Sequence, residues 1–548
     1  MNAPLKRLLR DGLLTFACST LACAAWAQPA AEPAPPPAPA VTPEATPTAP
    51  PAASPAAPPA APPGEVTAAE NFATRFFVRV AVDRPSRDYR AGEQVKITVT
   101  SEIDAFAYVF YKQADGKVFL IFPNAEQRNN KLPAKQPVQI PAAGDNFRWE
   151  VSAPFGPERI TVLAATEPLA SLQDPRLRAE LFNAVGAKQL KGVELELAKE
   201  KPAEWSIQHL DITTYDRAEP LAERPAKRFG VFFGVAEYLF NDEAIRASKE
   251  GRPLNLPTCA IDAEQLGIAL KEMGEFDEVL LFTNEKATKR NLQEAVTRWL
   301  PSVTGPGDVC VIYFSGHGGQ IPDLSGDEKP EPGSDNASDE TLIPADYLGY
   351  HLYEKAEEEA QSGSLAPEKM AAVRRARELV GQFTEPFHKA MAMELATTIT
   401  DDEFGNWLHQ ALDGRQIVVM LDSCHSGGFG VSAKGGLNEQ KAESVKFDFL
   451  DQEIARLKDI GQNDTALFAT CSPFQSVMVP KADDFPVRMS LMTYFVVQQL
   501  HTTQGSIDLE ASFRNCHDKM AKYFADGNYQ PTLPQLQLNL RKKVYLKP

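Results

Sequence analysis

The stretch "IVVMLDSCHSGGFG" occupies positions 417–430. Five apolar residues run without interruption, stop at Asp-Ser-Cys-His-Ser and give way to glycines. An apolar run without alternation predicts a strand buried on both faces, the kind found in a parallel sheet covered by helices. The same pattern stands upstream in "DVCVIYFSGHGGQ", so strands are expected over 308–316 and 417–423, with His317 and Cys424 just past their ends in Gly/Ser turns. In such sheets the chemistry gathers at the carboxyl ends of strands. A cysteine near a histidine is the simplest nucleophile–base pair, the imidazole helping to form the thiolate.

Outward from these two points the text keeps alternating. Strands are expected at 228–236, 278–284 and 465–472, and helices at 258–274, 288–300, 490–500 and in "LEASFRNCHDKMAKYF". Strand and helix in turn predict an α/β domain from about 228 onward. Cys310 and Cys471 lie inside apolar strand text and read as core. Cys516 precedes His517 in helix text with no partners for a metal site.

Residues 72–216 differ. Short β-branched and aromatic runs such as "RFFVRVAV", "AFAYVFYK" and "KVFLIFP" are separated by turn residues, and Asp115-Gly116 marks a hairpin. A β-sandwich is expected there. Residues 28 to about 64 are nearly all Ala, Pro, Thr and Glu, which cannot bury a core; we read 28–71 as a semi-rigid spacer. At the start, Lys6, Arg7 and Arg10 precede a short apolar run (12–24) and the "AWA" of Ala25–Ala27. That order predicts a signal peptide over 1–27, export to the periplasm or beyond, and no membrane span after cleavage. An uncut membrane anchor is the alternative, and lipidation at Cys23 a minor option. Seven cysteines, two of them in this leader, make a poor disulfide framework. A net charge of −17 argues against general nucleic-acid binding.

"YFSGHGGQ" together with "LDSCHSGG" resembles the caspase-like cysteine peptidases of clan CD, and the metacaspases in particular. "TCAIDAEQLG", "SDETLIPADY", "TDDEF" and "SLMTYFVVQQL" extend the likeness over about 228–546. It implies a caspase-like three-layer α/β sandwich around a mostly parallel six-stranded sheet. "YRAGEQVKITVTSE", "GKVFLIFPNA" and "FGPERITVLA" resemble a bacterial domain of unknown function fused to peptidase or kinase domains.

The resemblance implies His317 and Cys424 as catalytic pair, with the N–H groups of Gly318 and Cys424 as the oxyanion hole. It implies a primary pocket lined by Asp262, Ser315 and Asp422. Two carboxylates in a semi-buried pocket suit an Arg or Lys side chain and repel Asp, so protein or peptide substrates cut after basic residues are expected. It also implies calcium at Asp339, Asp401 and Asp402, although the family's further ligand position is Val431 here, so the set is incomplete or rearranged. His317 and Cys424 stand 107 positions apart, against about 50 in caspases. The excess fits an insertion at about 347–398, a lid, a docking arm or a propeptide. The long stretch 430–464 carries Lys434, Lys441 and Lys446 as expected autocleavage sites. The rival reading is a catalytically idle caspase fold that serves as a scaffold, with the sandwich binding an unidentified partner. A papain-like or transglutaminase enzyme is excluded by order, because here the histidine precedes the cysteine.

Overall fold

The computed structural model describes residues 70–216, 224–248, 251, 253–323, 337–425, 449–470, 488–527 and 533–548, without the side chains of Cys424 and His425. The leader, most of the spacer, Cys471, Val431 and the three candidate autocleavage lysines lie outside the described residues.

The first region is built on two mostly antiparallel layers. Asp115-Gly116 closes the hairpin between Ala105–Lys112 and Val118–Phe122; Gly116 takes a φ of +85°, which favours glycine, and Asp115 accepts from the N–H of Lys117. This hairpin joins Pro157–Ala165 and Trp205–Tyr215 in a seven-stranded sheet. Val78–Val82, Ile97–Ser101 and Val138–Ile140 form a smaller sheet. Val80, Val99, Val109, Ile160 and Leu210 share the core between the layers. The far face of the large sheet is also covered, by helix Ala187–Leu197, whose Leu190, Val193 and Leu197 meet Tyr108, Phe110 and Ile207. That second cover explains why "AFAYVFYK" hardly alternates.

The second region carries an eight-stranded sheet. We number its strands β1 (Arg228–Gly234), β2 (Glu278–Thr283), β3 (Val309–Pro322), β4 (Ser338–Leu342), β5 (Ile399–Thr400), β6 (Gln416–His425), β7 (Asp464–Thr470) and β8 (Gln535–Leu540). The spatial order is β2-β1-β3-β6-β7-β8, parallel except for β8, while β4 pairs with the end of β3 and with β5. The helices used below are α1 (Cys259–Met273), α2 (Asp401–Leu412), α3 (Asp451–Asp459), α4 (Leu491–Thr502) and α5 (Leu509–Gly527). On one face Val231, Ile312, Val419 and Leu421 pack with Phe404, Trp407 and Leu408 of α2; α1 and α4 lie together on the other. This is the expected caspase-like α/β sandwich.

Two strand ends differ from expectation. His317 and Cys424 do not stand past their strands: β3 runs on to Pro322 and β6 to His425. The parallel β3–β6 ladder itself continues to Gly318 and His425, and β4, which folds back antiparallel on Gly318–Pro322, carries β3 further. Gly319 allows it, since a Cβ there would stand 3.0 Å from Thr341 Oγ1. The 347–398 text forms three helices, Tyr350–Ser362, Met370–Val380 and Pro386–Thr397. Leu352, Tyr353, Ala356 and Val373 enter the core that the sheet uses, and Lys369 pairs with buried Glu243 at 2.7 Å. The insertion is thus part of the fold's core.

The two regions are joined through α2 and α3. Asp413, just after α2, is held by Arg79 (3.2 Å) and Arg87 (2.6 Å). His409 Nε2 lies 2.8 Å from the Val78 carbonyl, and Phe77 packs with Leu457 and Ile460. Arg456 lies over the Phe77 ring and pairs with Glu102 at 2.8 Å and Asp402 at 3.0 Å. Among the described residues, no helix is long and apolar enough to cross a membrane.

Candidate active site

Parallel pairing of β3 with β6 sets Ser315 opposite Asp422, Gly316 opposite Ser423 and His317 opposite Cys424. The two residues singled out from the sequence therefore occupy facing register positions on adjacent strands. The Ser423 hydroxyl donates to the Gly316 carbonyl at 3.0 Å and ties the strands together at this level. Gly318, the expected oxyanion donor, stands between Leu342 of β4 and His425 of β6.

His317 is held from three sides. Its backbone N–H donates to the Tyr238 hydroxyl at 3.0 Å, the Tyr238 ring lies 5.3 Å away, and its Nε2 is 2.8 Å from the Leu254 carbonyl. A carbonyl only accepts, so Nε2 carries the hydrogen and Nδ1 is the basic nitrogen. Burial pulls the imidazole down to about 4, with the Leu254 carbonyl opposing. At neutral pH the ring is therefore uncharged.

The acids expected in the primary pocket do come together. Gly234, Ser315, Asp422 and Thr470 form one row across β1, β3, β6 and β7. Asp262 reaches this row from the first turn of α1, and its Oδ2 accepts from Ser315 Oγ at 3.2 Å. Helix α1 can come so close because Gly234 has no side chain: a Cβ there would collide with the Cys259 carbonyl and stand 2.8 Å from Ala260 Cα. Asp262 is 0% and Asp422 1% exposed. Burial and then the charge of Asp422 hold the Asp262 carboxyl well above the usual carboxylate range. Asp422 is raised too, by burial, while hydroxyl donors pull it back. Two buried like charges resist joint ionisation, and an arriving cation relieves both.

Sequence reasoning missed the groups that hold these acids. Thr470, Ser490 and Thr493 donate to Asp422, and the Ser490 N–H donates to Asp262. Ser490 and Thr493 open α4, where Ser and Thr ordinarily read as capping residues. Thr470 could have been found only from the register of β7. Cys310 and Cys516 are buried free thiols, and Cys259 is buried as well. Burial pushes Cys310 up to about 12 and Cys516 further, as suits core residues.

The expected calcium residues fall in one neighbourhood. Asp401 is buried; its burial and the charges of Glu453, Glu340, Asp402 and Asp339 hold it well above the usual range. Oxygen-only donors suit a hard cation. Asp402, however, is paired with Arg456, and among the described residues no three His, Cys, Asp or Glu side chains are arranged to hold a metal ion. The arrangement described thus does not fit a bound calcium.

A family model described as "Caspase domain" matches residues 233–545, and a model for a domain of unknown function, DUF4384, matches 88–168. Metacaspase-3 of Arabidopsis thaliana is 31% identical over 137 residues, 24% of this chain and 33% of the relative. Metacaspase-1B of Aspergillus fumigatus is 27% identical over 186 residues, 32% of this chain and 33% of the relative. Metacaspase-4 of Arabidopsis thaliana is 26% identical over 210 residues, 37% of this chain and 36% of the relative. The matched stretch spans about a third of these relatives. Among solved structures, a Geobacter sulfurreducens protein aligns at TM-score 0.33 with 17% identity, over 57% of this chain and 92% of its own. A pro-caspase-1 labelled "sf" aligns at 0.30 with 9% identity, over 58% and 94%. With the caspase-domain model spanning more than half of its length, the chain belongs to the caspase-domain family of cysteine peptidases and is similar within it to the metacaspases.

Proposed function

We propose that this chain is an exported endopeptidase that cuts polypeptides after Arg or Lys, with Cys424 as nucleophile and His317 as base. The observation that carries the reading is the buried Asp262–Asp422 pair: Asp422 stands two positions before Cys424, and Asp262 accepts from Ser315, which stands two positions before His317 in the same strand register. A basic side chain that settles on the pair brings its carbonyl to the level of the catalytic positions. His317 Nδ1 takes the Cys424 thiol proton, and the thiolate attacks the carbonyl carbon. The N–H groups of Gly318 and Cys424 stabilise the oxyanion. Collapse breaks the C–N bond, the amine leaves with the proton from His317, and water then hydrolyses the thioester. The register supports this division of labour.

The proposal extends to export through the leader at 1–27 and to cleavage of the chain's own 430–464 stretch after Lys434, Lys441 or Lys446. Purified wild type and Cys424→Ala protein, assayed on an arginyl fluorogenic peptide with and without calcium, test the first claim. Wild-type turnover and a loss of several orders of magnitude in the variant are expected. Equal turnover by both proteins would contradict Cys424 as the nucleophile, and none by either leaves the scaffold reading instead.

A further inference from the structure

The first turn of α4 is tied to both pocket acids. On Asp422, Oδ1 accepts from Thr470 Oγ1 at 2.9 Å. Its Oδ2 accepts from Thr493 Oγ1 at 2.7 Å, from the Thr493 N–H at 3.4 Å and from Ser490 Oγ. Ser490 also donates its backbone N–H to Asp262 Oδ1 at 2.8 Å. Ser490, Thr493 and Asp262 are all 0% exposed. The Tyr313 hydroxyl, 2.7 Å from Thr493 Oγ1, can donate to it and so leave the Thr493 hydrogen for Asp422.

This is an unusual use of a helix start. Ser490 is the residue before the first turn and has the extended backbone of a cap (φ −62°, ψ 155°), yet its side chain makes no capping bond to α4. Its oxygen is spent on Asp422, and the carboxylate of a distant strand takes an N–H that a local cap would otherwise satisfy. Four donors converge on one carboxylate, three on Oδ2 and one on Oδ1, which leaves acceptor capacity on Oδ1. Asp422 is thereby fixed in direction, and Asp262 is fixed to the same residue.

We infer that Ser490 and Thr493 are positioning residues for substrate selection: they aim the Asp422 carboxylate and, through Ser490, lock its spacing to Asp262, so that the pair meets a guanidinium or ammonium group. The inference rests on the reading of this pair as the pocket for a basic side chain. It assigns to α4 a part in specificity, separate from the chemistry at positions 317 and 424.

The test is steady-state kinetics of the full chain on paired peptides that differ only in Arg or Gln before the scissile bond. Thr493→Val keeps the shape and removes the hydroxyl; Ser490→Ala removes the other donor. Each should raise KM for the Arg peptide about tenfold or more, the range for a lost hydrogen bond to a charged group, with kcat within about threefold and the Arg/Gln ratio of kcat/KM falling in step. Thr493→Ser and Ser490→Thr, which keep the hydroxyls, should restore wild-type values. An unchanged KM, or a fall in kcat with the Arg/Gln ratio intact, overturns the inference while the proposed activity stands. If wild type shows no preference for Arg over Gln, the proposed pocket fails and this inference with it. Should the alanine and valine variants not fold, the conservative pair decides, because its hydroxyls must sustain the wild-type Arg/Gln ratio.

Discussion

Asp422 is where the proposed specificity and the stability of the fold meet in one side chain. A carboxylate at 1% exposure is tolerable only with donors around it, and the chain supplies them from β7 and α4. Replacing it with Asn keeps the shape but leaves the substrate cation facing one acid instead of two. Asp422→Asn should lower kcat/KM for arginyl peptides by about 2–5 kcal/mol, the cost of truncating a buried charge pair. Cleavage of uncharged-residue peptides should change far less; equal losses on both would contradict the assignment. Asp262, Ser315 and Asp422 were legible because they belong to ordered motifs. The hydroxyls were not, since Ser and Thr at a helix start look the same whether they cap the helix or serve a distant acid, and only the fold shows where their oxygens point.

At the scale of elements, the strands and helices of the sheet region were legible from apolar runs and 3.6-residue periodicity. The helix over Ala187–Leu197 was missed in text read as all β. The glycines around His317 misled in the other direction: "SGHGGQ" reads as a turn, but without side chains it lets β4 approach, and the strand continues. The insertion brings its own titratable group. Glu394, in helix Pro386–Thr397, is buried with the Tyr347 hydroxyl 3.1 and 3.2 Å from its two oxygens. Burial pushes it from 4.5 up to about 8, with Tyr347 opposing. Its folded-state value is therefore raised: the stability linked to its proton is intact below pH 4.5 and drains away as pH rises through about 8. Glu394→Gln, which keeps an acceptor for Tyr347, should melt close to wild type at pH 4 and increasingly above it toward pH 9. A difference that does not vary with pH would contradict this account.

Among the described residues, the β-rich region and the eight-stranded sheet region are joined through α2 and α3. The composition changes near residues 72 and 228 that separate the regions are plain in the sequence, but the contacts between them are not, because Arg79, Arg87, Glu102 and Arg456 look like ordinary surface charges. Asp413 concentrates that junction: burial pushes its carboxyl up, and Arg79 and Arg87 more than offset this, leaving it below the usual range. Asp413→Asn leaves two arginines unmatched and should cost about 3 kcal/mol in urea unfolding; a loss under about 0.5 kcal/mol would show that the junction adds nothing to stability. Above these contacts stands the claim that the fold is an enzyme for basic sites, and one measurement addresses it most directly: the cleavage profile of the purified full chain on an unbiased peptide library, read by mass spectrometry beside the Cys424→Ala protein. The account predicts cuts after Arg and Lys that vanish in the variant. Cuts after Asp, or the same cuts in both proteins, would contradict it.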